Sequence, residues 1–394
     1  MVRRSGVALL VALIVAAAGL AEAAAPIKIG FSLPKTGLFA ASGPSQINAY
    51  ELWRQQVNAR GGLDVKGERR RVEFVVYDDQ SDPSLAVRIY EKLITDDKVD
   101  LLLAPWGTPH HFAVAGVLER YKFPMVGNSA ASVQLREIKP GYIWFPTTAM
   151  PDRMAVELTS LLRKAGVRTV ALETLQLPFS MEMKKFLLPE LEKAGIKVAV
   201  NQDYQPGIKD MTVMLAAVKE ARPDAILSLS YPEDSVLYVK QARELGVTAP
   251  FQFVLIGPTM DFFGKMFGPA ADGLVTVGHW SPHQSKWPRG AKFFKSYLDT
   301  FKERPDYLDS ALAYMSCEIL EQAVAKAGLD RAKLREAIAN GSFETINGPV
   351  RFKGVENAAT PTAFLQLQGG EAQLIWPSAV ATSKYKPKGP WPAK

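Results

Sequence analysis

The chain has 394 residues, 47% of them apolar and 22% charged, with a formal net charge of +7 and one cysteine. That length exceeds what a single hydrophobic core usually fills, so two domains are expected, and the composition excludes a fibre or a disordered chain. One thiol, Cys317, cannot close an internal disulfide.

In chain order, Arg3 and Arg4 precede the apolar run GVALLVALIVAAAGLA, and the small residues AEAAAP follow. This pattern predicts a signal peptide over residues 1–23, cleaved after Ala23. The run is short for a membrane span, no later run compares with it, and no cysteine near the cleavage site offers a lipid anchor. The mature chain is therefore expected free in the periplasm, and monomeric. Export argues against chemistry that draws on ATP or nicotinamide pools.

From Ile27 short β-rich runs alternate with amphipathic helices. IKIGFSL leads to INAYELWRQQVNARGG, VEFVVYDD to SLAVRIYEKLITDD, and DLLLAP to HHFAVAGVLERY, before PMVGNS. Apolar strands separated by helices indicate a parallel sheet covered on both faces. The pattern restarts after IWFPTTA, with the strands TVALETL, KVAVNQDY, AILSLSY and FQFVLIG each joined to the next through a helix. Several helices stop at glycine (LRKAG, LEKAG, ARELG, AVAKAG). The predicted fold is α/β, with two doubly wound, Rossmann-like lobes. GLVTVGHW adds a strand, helices run to Gly341, and GPVRFKG and TAFLQLQGGEAQLIWP read as hairpins that return to complete the two lobes. Such returns would make a hinge over a cleft.

The basic clusters are short. ERRR at residues 68–71 reads as a solvated edge strand and the tail KYKPKGPWPAK as a loose terminus. Neither carries an aromatic-interleaved basic stripe, so nucleic acid is not an expected partner.

Enzyme signatures are scarce: GxGxxG after the first strand, GxxxxGK[ST], GxSxG and HExxH are all missing. His110 and His111 diverge by about 100° on a helix and cannot easily grip one ion. His279 and His283 flank a proline in a loop without further ligands. No enzyme activity, metal or cofactor is expected.

Two strand-to-helix turns carry the candidate chemistry. In APWGTPHHF, Trp106 offers an apolar wall, Gly107 allows close backbone approach, Thr108 is expected as helix N-cap and Pro109 as first helical residue. In PMVGNSAASVQL, Gly127, Asn128, Ser129, Ala130, Ala131 and Ser132 expose backbone N–H groups and hydroxyls. Thr108 could equally be only a cap and Trp106 only packing. Two such turns in succession favour a shelf for an anion.

KIGFSLPKTGLFAASG, VNARGGLDVKG, VYDDQSDP, LLLAPWGT, PMVGNSAAS and ADGLVTVGHWSP, in this order and spacing, resemble the periplasmic branched-chain amino-acid binding proteins, type I solute receptors of ABC transporters. The resemblance implies two lobes joined by three crossovers: residues 26–148 plus 279–355, and residues 149–278 plus 356–394. It implies a ligand trapped between them and delivered to an inner-membrane permease. It places Ser42 over the ligand, and Thr108, with Trp106 and Gly107, at its polar head. Ser129 and Ala131 fall at the carboxylate and ammonium positions, beside Asn128. Phe179 and Tyr231 become cleft aromatics, joined by Trp280.

The chain also departs from that family. Where the resemblance puts an acid for the ligand's ammonium, IGPTM offers Thr259, and Ala131 lacks a hydroxyl. An ammonium buried without an acidic partner would cost several kcal/mol. An aromatic or hydrophobic carboxylic acid is therefore the expected ligand. A branched-chain or other amino acid, or an amide, is the alternative if Asp261 or Glu173 restores the charge. A sensor for a membrane receptor kinase is the alternative of another class.

Overall fold

The computed structural model describes residues 24–392, so the expected signal peptide lies outside the described residues. The first lobe opens with β1 (Ile27–Leu33), α1 (Gly43–Ala59), the hairpin β2 (Leu63–Val65) and β3 (Glu68–Arg70), and β4 (Val72–Asp78). It continues through α2 (Pro83–Thr95), β5 (Leu101–Leu102), α3 (Thr108–Tyr121), β6 (Met125–Val126), α4 (Gln134–Ile138) and β7 (Ile143–Trp144). β1 lies between β4 and β5, parallel to both, and β6 pairs parallel with β7.

Local chemistry accounts for these elements. In α2, Ala86, Ile89, Tyr90 and Leu93 recur at helical spacing and are buried, while Asp82 accepts the Ser84 N–H at 2.8 Å as N-cap. A cap of this kind stabilises a helix by about 1 kcal/mol, and each large apolar side chain buried adds roughly 1.5–3 kcal/mol.

The second lobe contains α5 (Pro151–Lys164), β8 (Thr169–Leu175), α6 (Pro178–Lys193), β9 (Lys197–Tyr204), α7 (Thr212–Ala221), β10 (Ala225–Leu229), α8 (Pro232–Leu245), β11 (Phe251–Val254), α9 (Asp261–Phe267) and β12 (Leu274–Val277). Gly246, at φ 63°, ends α8 in the left-handed conformation that glycine adopts without strain. After α10 (Arg289–Phe301), α11 (Asp309–Ala327) and α12 (Arg331–Asn340) come β13 (Ser342–Thr345), β14 (Gly348–Lys353), β15 (Glu356–Asn357), β16 (Phe364–Gln368) and β17 (Glu371–Trp376). The second sheet runs β17-β16-β12-β11-β10-β8-β9, parallel from β9 to β12, with β16 and β17 added antiparallel. The late hairpins do return: β16–β17 extends the second sheet, and Glu356 bridges to Phe145 beside β7. α11 packs along α1. Among the described residues no helix is long and apolar enough to cross a membrane.

Three chain segments pass between the lobes side by side. The His279 ring nitrogens each lie 3.2 Å from a hydroxyl, Nε2 from Thr147 and Nδ1 from Thr148. The Thr148 hydroxyl donates to the Pro361 carbonyl at 2.9 Å, and Thr362 donates to the Thr148 carbonyl. Burial pushes the His279 pKa down to about 4, so its imidazole is neutral at pH 7.

The tail corrects an expectation. It is not a loose terminus: Trp391 donates its indole N–H to the Val247 carbonyl at 2.6 Å, and Tyr385 its hydroxyl to the Pro250 carbonyl at 2.7 Å. Lys388 is buried, with Nζ donating to the carbonyls of Ala270 (3.2 Å) and Asp272 (2.8 Å). The lysine stem and tryptophan ring cover apolar surface that a solvated tail would leave open.

Candidate ligand-binding site

Between the lobes lies a cavity of about 30 Å³. Four helices begin at its wall. α3 brings Thr108, α6 brings Phe179, α8 follows Tyr231, and α11 begins with Asp309 beside Leu308. Each helix start carries roughly half a positive charge; at α11 the Leu308 and Asp309 N–H groups are already taken by the Asp306 carboxylate.

The first-lobe wall is built from the two strand-to-helix turns. Gly107 has φ 80° and ψ 153°, a conformation that side-chain-bearing residues avoid, and it is the N-cap of α3. Thr108 is therefore not the cap, as the sequence suggested, but the first helical residue. Its hydroxyl accepts the Ala131 N–H at 3.3 Å, and the Ser129 hydroxyl accepts the Gly107 N–H at 2.9 Å. His111 holds the turns from behind: Nδ1 lies 2.8 Å from the Gly107 carbonyl, and Nε2 accepts the Asn128 N–H at 3.3 Å. That pair of contacts assigns the proton to Nδ1. Burial lowers the His111 pKa to about 4, so the ring stays neutral.

Phe179, Tyr231 and Ile256 face these turns from the second lobe, while Thr147, Ala149 and Val277 close the hinge side. The Trp106 and Tyr231 rings meet edge to face with centroids 6.0 Å apart, and Phe39 packs on both, at 5.1 Å and 6.0 Å. Among the described lining residues none is basic, and Asp309 is the one ionisable acid.

The structure thus brings together Trp106, Gly107, Thr108, Ser129, Ala131, Phe179 and Tyr231 at one cavity. The other sequence candidates lie elsewhere. Ser42 is fully buried before α1, and Phe39, three residues earlier, is the member of its loop that reaches the aromatic cluster. Asn128 sits behind the shelf, its carbonyl oxygen accepting the Ser129 N–H at 2.5 Å and its amide donating to the Tyr50 hydroxyl at 2.6 Å. Thr259 donates to Asp306 at 2.7 Å, and Trp280 packs among Phe293, Phe294 and Tyr307.

Neither acid weighed as an ammonium partner lines the cavity. Asp261 pairs with Lys265 at 2.5 Å and accepts the Arg304 N–H at 3.1 Å. Glu173 is buried in the second sheet with no hydrogen-bond partner on either oxygen, and burial raises its pKa to about 7. The acid that does line the cavity is Asp309, which accepts the Trp106 indole N–H at 2.9 Å. Its pKa is pushed well up by burial and by the charge of Asp306. Sequence reading missed it because its partner is 203 positions away, and an acid in the first turn of a helix reads as a dipole partner.

Residues 26–371 match the family described as periplasmic binding protein. The chain is 26% identical over 399 residues to Leu/Ile/Val-binding protein homolog 7 of Brucella melitensis, covering 96% of this chain and 98% of that one. The branched-chain amino acid transporter substrate binding protein LivJ of Streptococcus pneumoniae, solved with isoleucine, superposes with a TM-score of 0.79 at 21% identity, covering 88% of this chain and 97% of that one. A solute binding protein of an ABC transporter from Rhodopseudomonas palustris BisB5, solved with 3,4-dihydroxybenzoic acid, superposes with a TM-score of 0.76 at 21% identity, covering 92% and 97%.

Proposed function

The chain belongs to the periplasmic binding protein family, and from that premise we propose that it is the solute receptor of an ABC uptake transporter, binding a small carboxylic acid between its lobes. The observation that carries the reading is the convergence of four helix starts on a cavity without a basic side chain. Such a site holds an anion with N–H groups, hydroxyls and helix dipoles rather than a counter-charge. Trp106, Phe179, Tyr231 and Ile256 supply flat and apolar walls, which suit an aromatic or hydrophobic acid. A second reading, an amino acid, is favoured by Asp309, which faces the same space.

At about 30 Å³ the cavity has room for roughly two water molecules. A carboxylic acid therefore enters with the lobes apart. A ligand touching Thr108 and Ser129 on one side and Phe179 and Tyr231 on the other favours the closed form, and closure is the state presented to the permease. In this reading the lobes comprise residues 26–148 plus 279–355, and 149–278 plus 356–394. The receptor is monomeric, works in the periplasm after cleavage near Ala23, and returns its ligand unchanged.

A thermal-shift screen of the mature protein against aromatic acids, aliphatic acids, amino acids and amides tests this, since a ligand bound by the folded state alone raises Tm. A hit among the acids or amino acids, recovered intact, supports the receptor. Chemical conversion of the ligand by the purified protein refutes it.

A further inference from the structure

Asp309 is the first residue of α11 and Asp306 lies three residues before it, but their surroundings differ. Asp306 is saturated: it accepts the Thr259 hydroxyl at 2.7 Å, the Leu308 N–H at 3.0 Å and the Asp309 N–H. Asp309 accepts the Trp106 indole N–H on Oδ2, is 1% exposed, and forms part of the cavity wall. A carboxyl group has about four acceptor sites, and burying it with few of them used is expensive. Among the described lining residues no side chain supplies a cation to offset that cost. A donor on the ligand would use the acceptor positions that the Trp106 indole leaves open.

We propose that Asp309 is a specificity-determining residue that reads a second polar group on the ligand, a hydrogen-bond donor, either hydroxyl or ammonium. This rests on the receptor reading above. The ligand is then two-headed: its carboxylate meets the turns at Thr108 and Ser129, and its donor meets Asp309. The indole of Trp106 holds the carboxyl through Oδ2, so the acceptor is preorganised before the ligand arrives. Burial and the neighbouring Asp306 both disfavour a free charge on Asp309. A ligand donor relieves that penalty, whereas a ligand offering only carbon at this point leaves the carboxyl unmet.

The test is isothermal titration of the mature protein with two matched pairs, 4-hydroxybenzoate against benzoate and isoleucine against 3-methylpentanoate. The first pair tests a hydroxyl and the second an ammonium. In at least one pair the donor-bearing member should bind about tenfold tighter or more, the usual worth of a hydrogen bond to a charged or buried partner. Asp309→Asn should close that gap, because its amide oxygen keeps the Trp106 N–H and turns an NH₂ group toward the ligand donor. The affinity of the donor-less member should be little changed. Equal affinities within both pairs, or a gap that survives in Asp309→Asn, overturn the role of Asp309 and leave the receptor reading standing. Silence of all four ligands on a protein that melts cooperatively overturns the carboxylate-receptor reading, and this inference with it. If Asp309→Asn does not fold, Asp309→Ala is titrated against the same pairs, and a gap that survives in it overturns the role of Asp309.

Discussion

The Ala131 N–H donates to the Thr108 hydroxyl at 3.3 Å, joining two strand-to-helix turns that no regular ladder connects. The threonine proton is not used by that bond, so the hydroxyl can still donate into the cavity that Thr108 lines. Thr108→Val keeps the volume and removes this donor. Its expected effect is about a tenfold loss of affinity for a carboxylate ligand, at a stability cost of about 1 kcal/mol. Calorimetric titration beside thermal unfolding separates the two, and unchanged affinity would remove Thr108 from the proposed site.

The hinge should weaken in acid. The folded pKa of His279 is about 4 against an ordinary 6.5, so the unfolded chain takes up a proton first as pH falls. The contribution of this group is complete above pH 6.5, lost progressively down to about pH 4, and amounts to roughly 3 kcal/mol over that window. In urea titrations His279→Asn should therefore show a shallower loss of stability between pH 6.5 and 4 than the parent. Equal slopes would place the titration elsewhere.

Glu173 predicts the opposite trend. Its folded pKa is raised to about 7 from 4.5, so the unfolded chain releases its proton first as pH rises. Stability is unaffected below pH 4.5 and falls between there and about 7, by roughly 3 kcal/mol. Glu173→Leu should be more stable than the parent at pH 8, with the difference shrinking toward pH 4.5. A destabilised variant at pH 8 would mean that the carboxyl has a polar role within the second sheet.

Removal of residues 384–394 takes away the Tyr385, Lys388 and Trp391 contacts with the second lobe. The urea midpoint should fall, while ligand affinity stays within about threefold, because the cavity wall includes none of these residues. An unshifted midpoint would show that the tail contributes nothing to stability.

What the sequence made legible was local. Alternation of TVALETL-type strands with helices located both lobes because periodicity is written within each segment. The turns at Trp106–Thr108 and Ser129–Ala131 were visible because a β-to-α junction advertises itself through Gly, Pro, Ser and Thr. Thr108 was nonetheless misplaced by one position, since Gly107 took the cap with a backbone angle that composition does not encode. Trp280 illustrates the harder limit: an aromatic ring in a core and one in a cleft have the same letter. Asp309 was invisible for the same reason, its meaning supplied by Trp106 in a distant turn. The tail looked like a loose terminus because proline and lysine dominate it, although Lys388 finds two carbonyls and Trp391 a third.

The meeting of Trp106 with Tyr231 joins an indole of one lobe to a phenol of the other. If the lobes part, that indole loses Tyr231 and keeps Phe39, which belongs to its own lobe. A native fluorophore thus sits at the seam, and the proposed opening and closing would be followed by intrinsic emission, without labels and at the speed of a stopped-flow mixer.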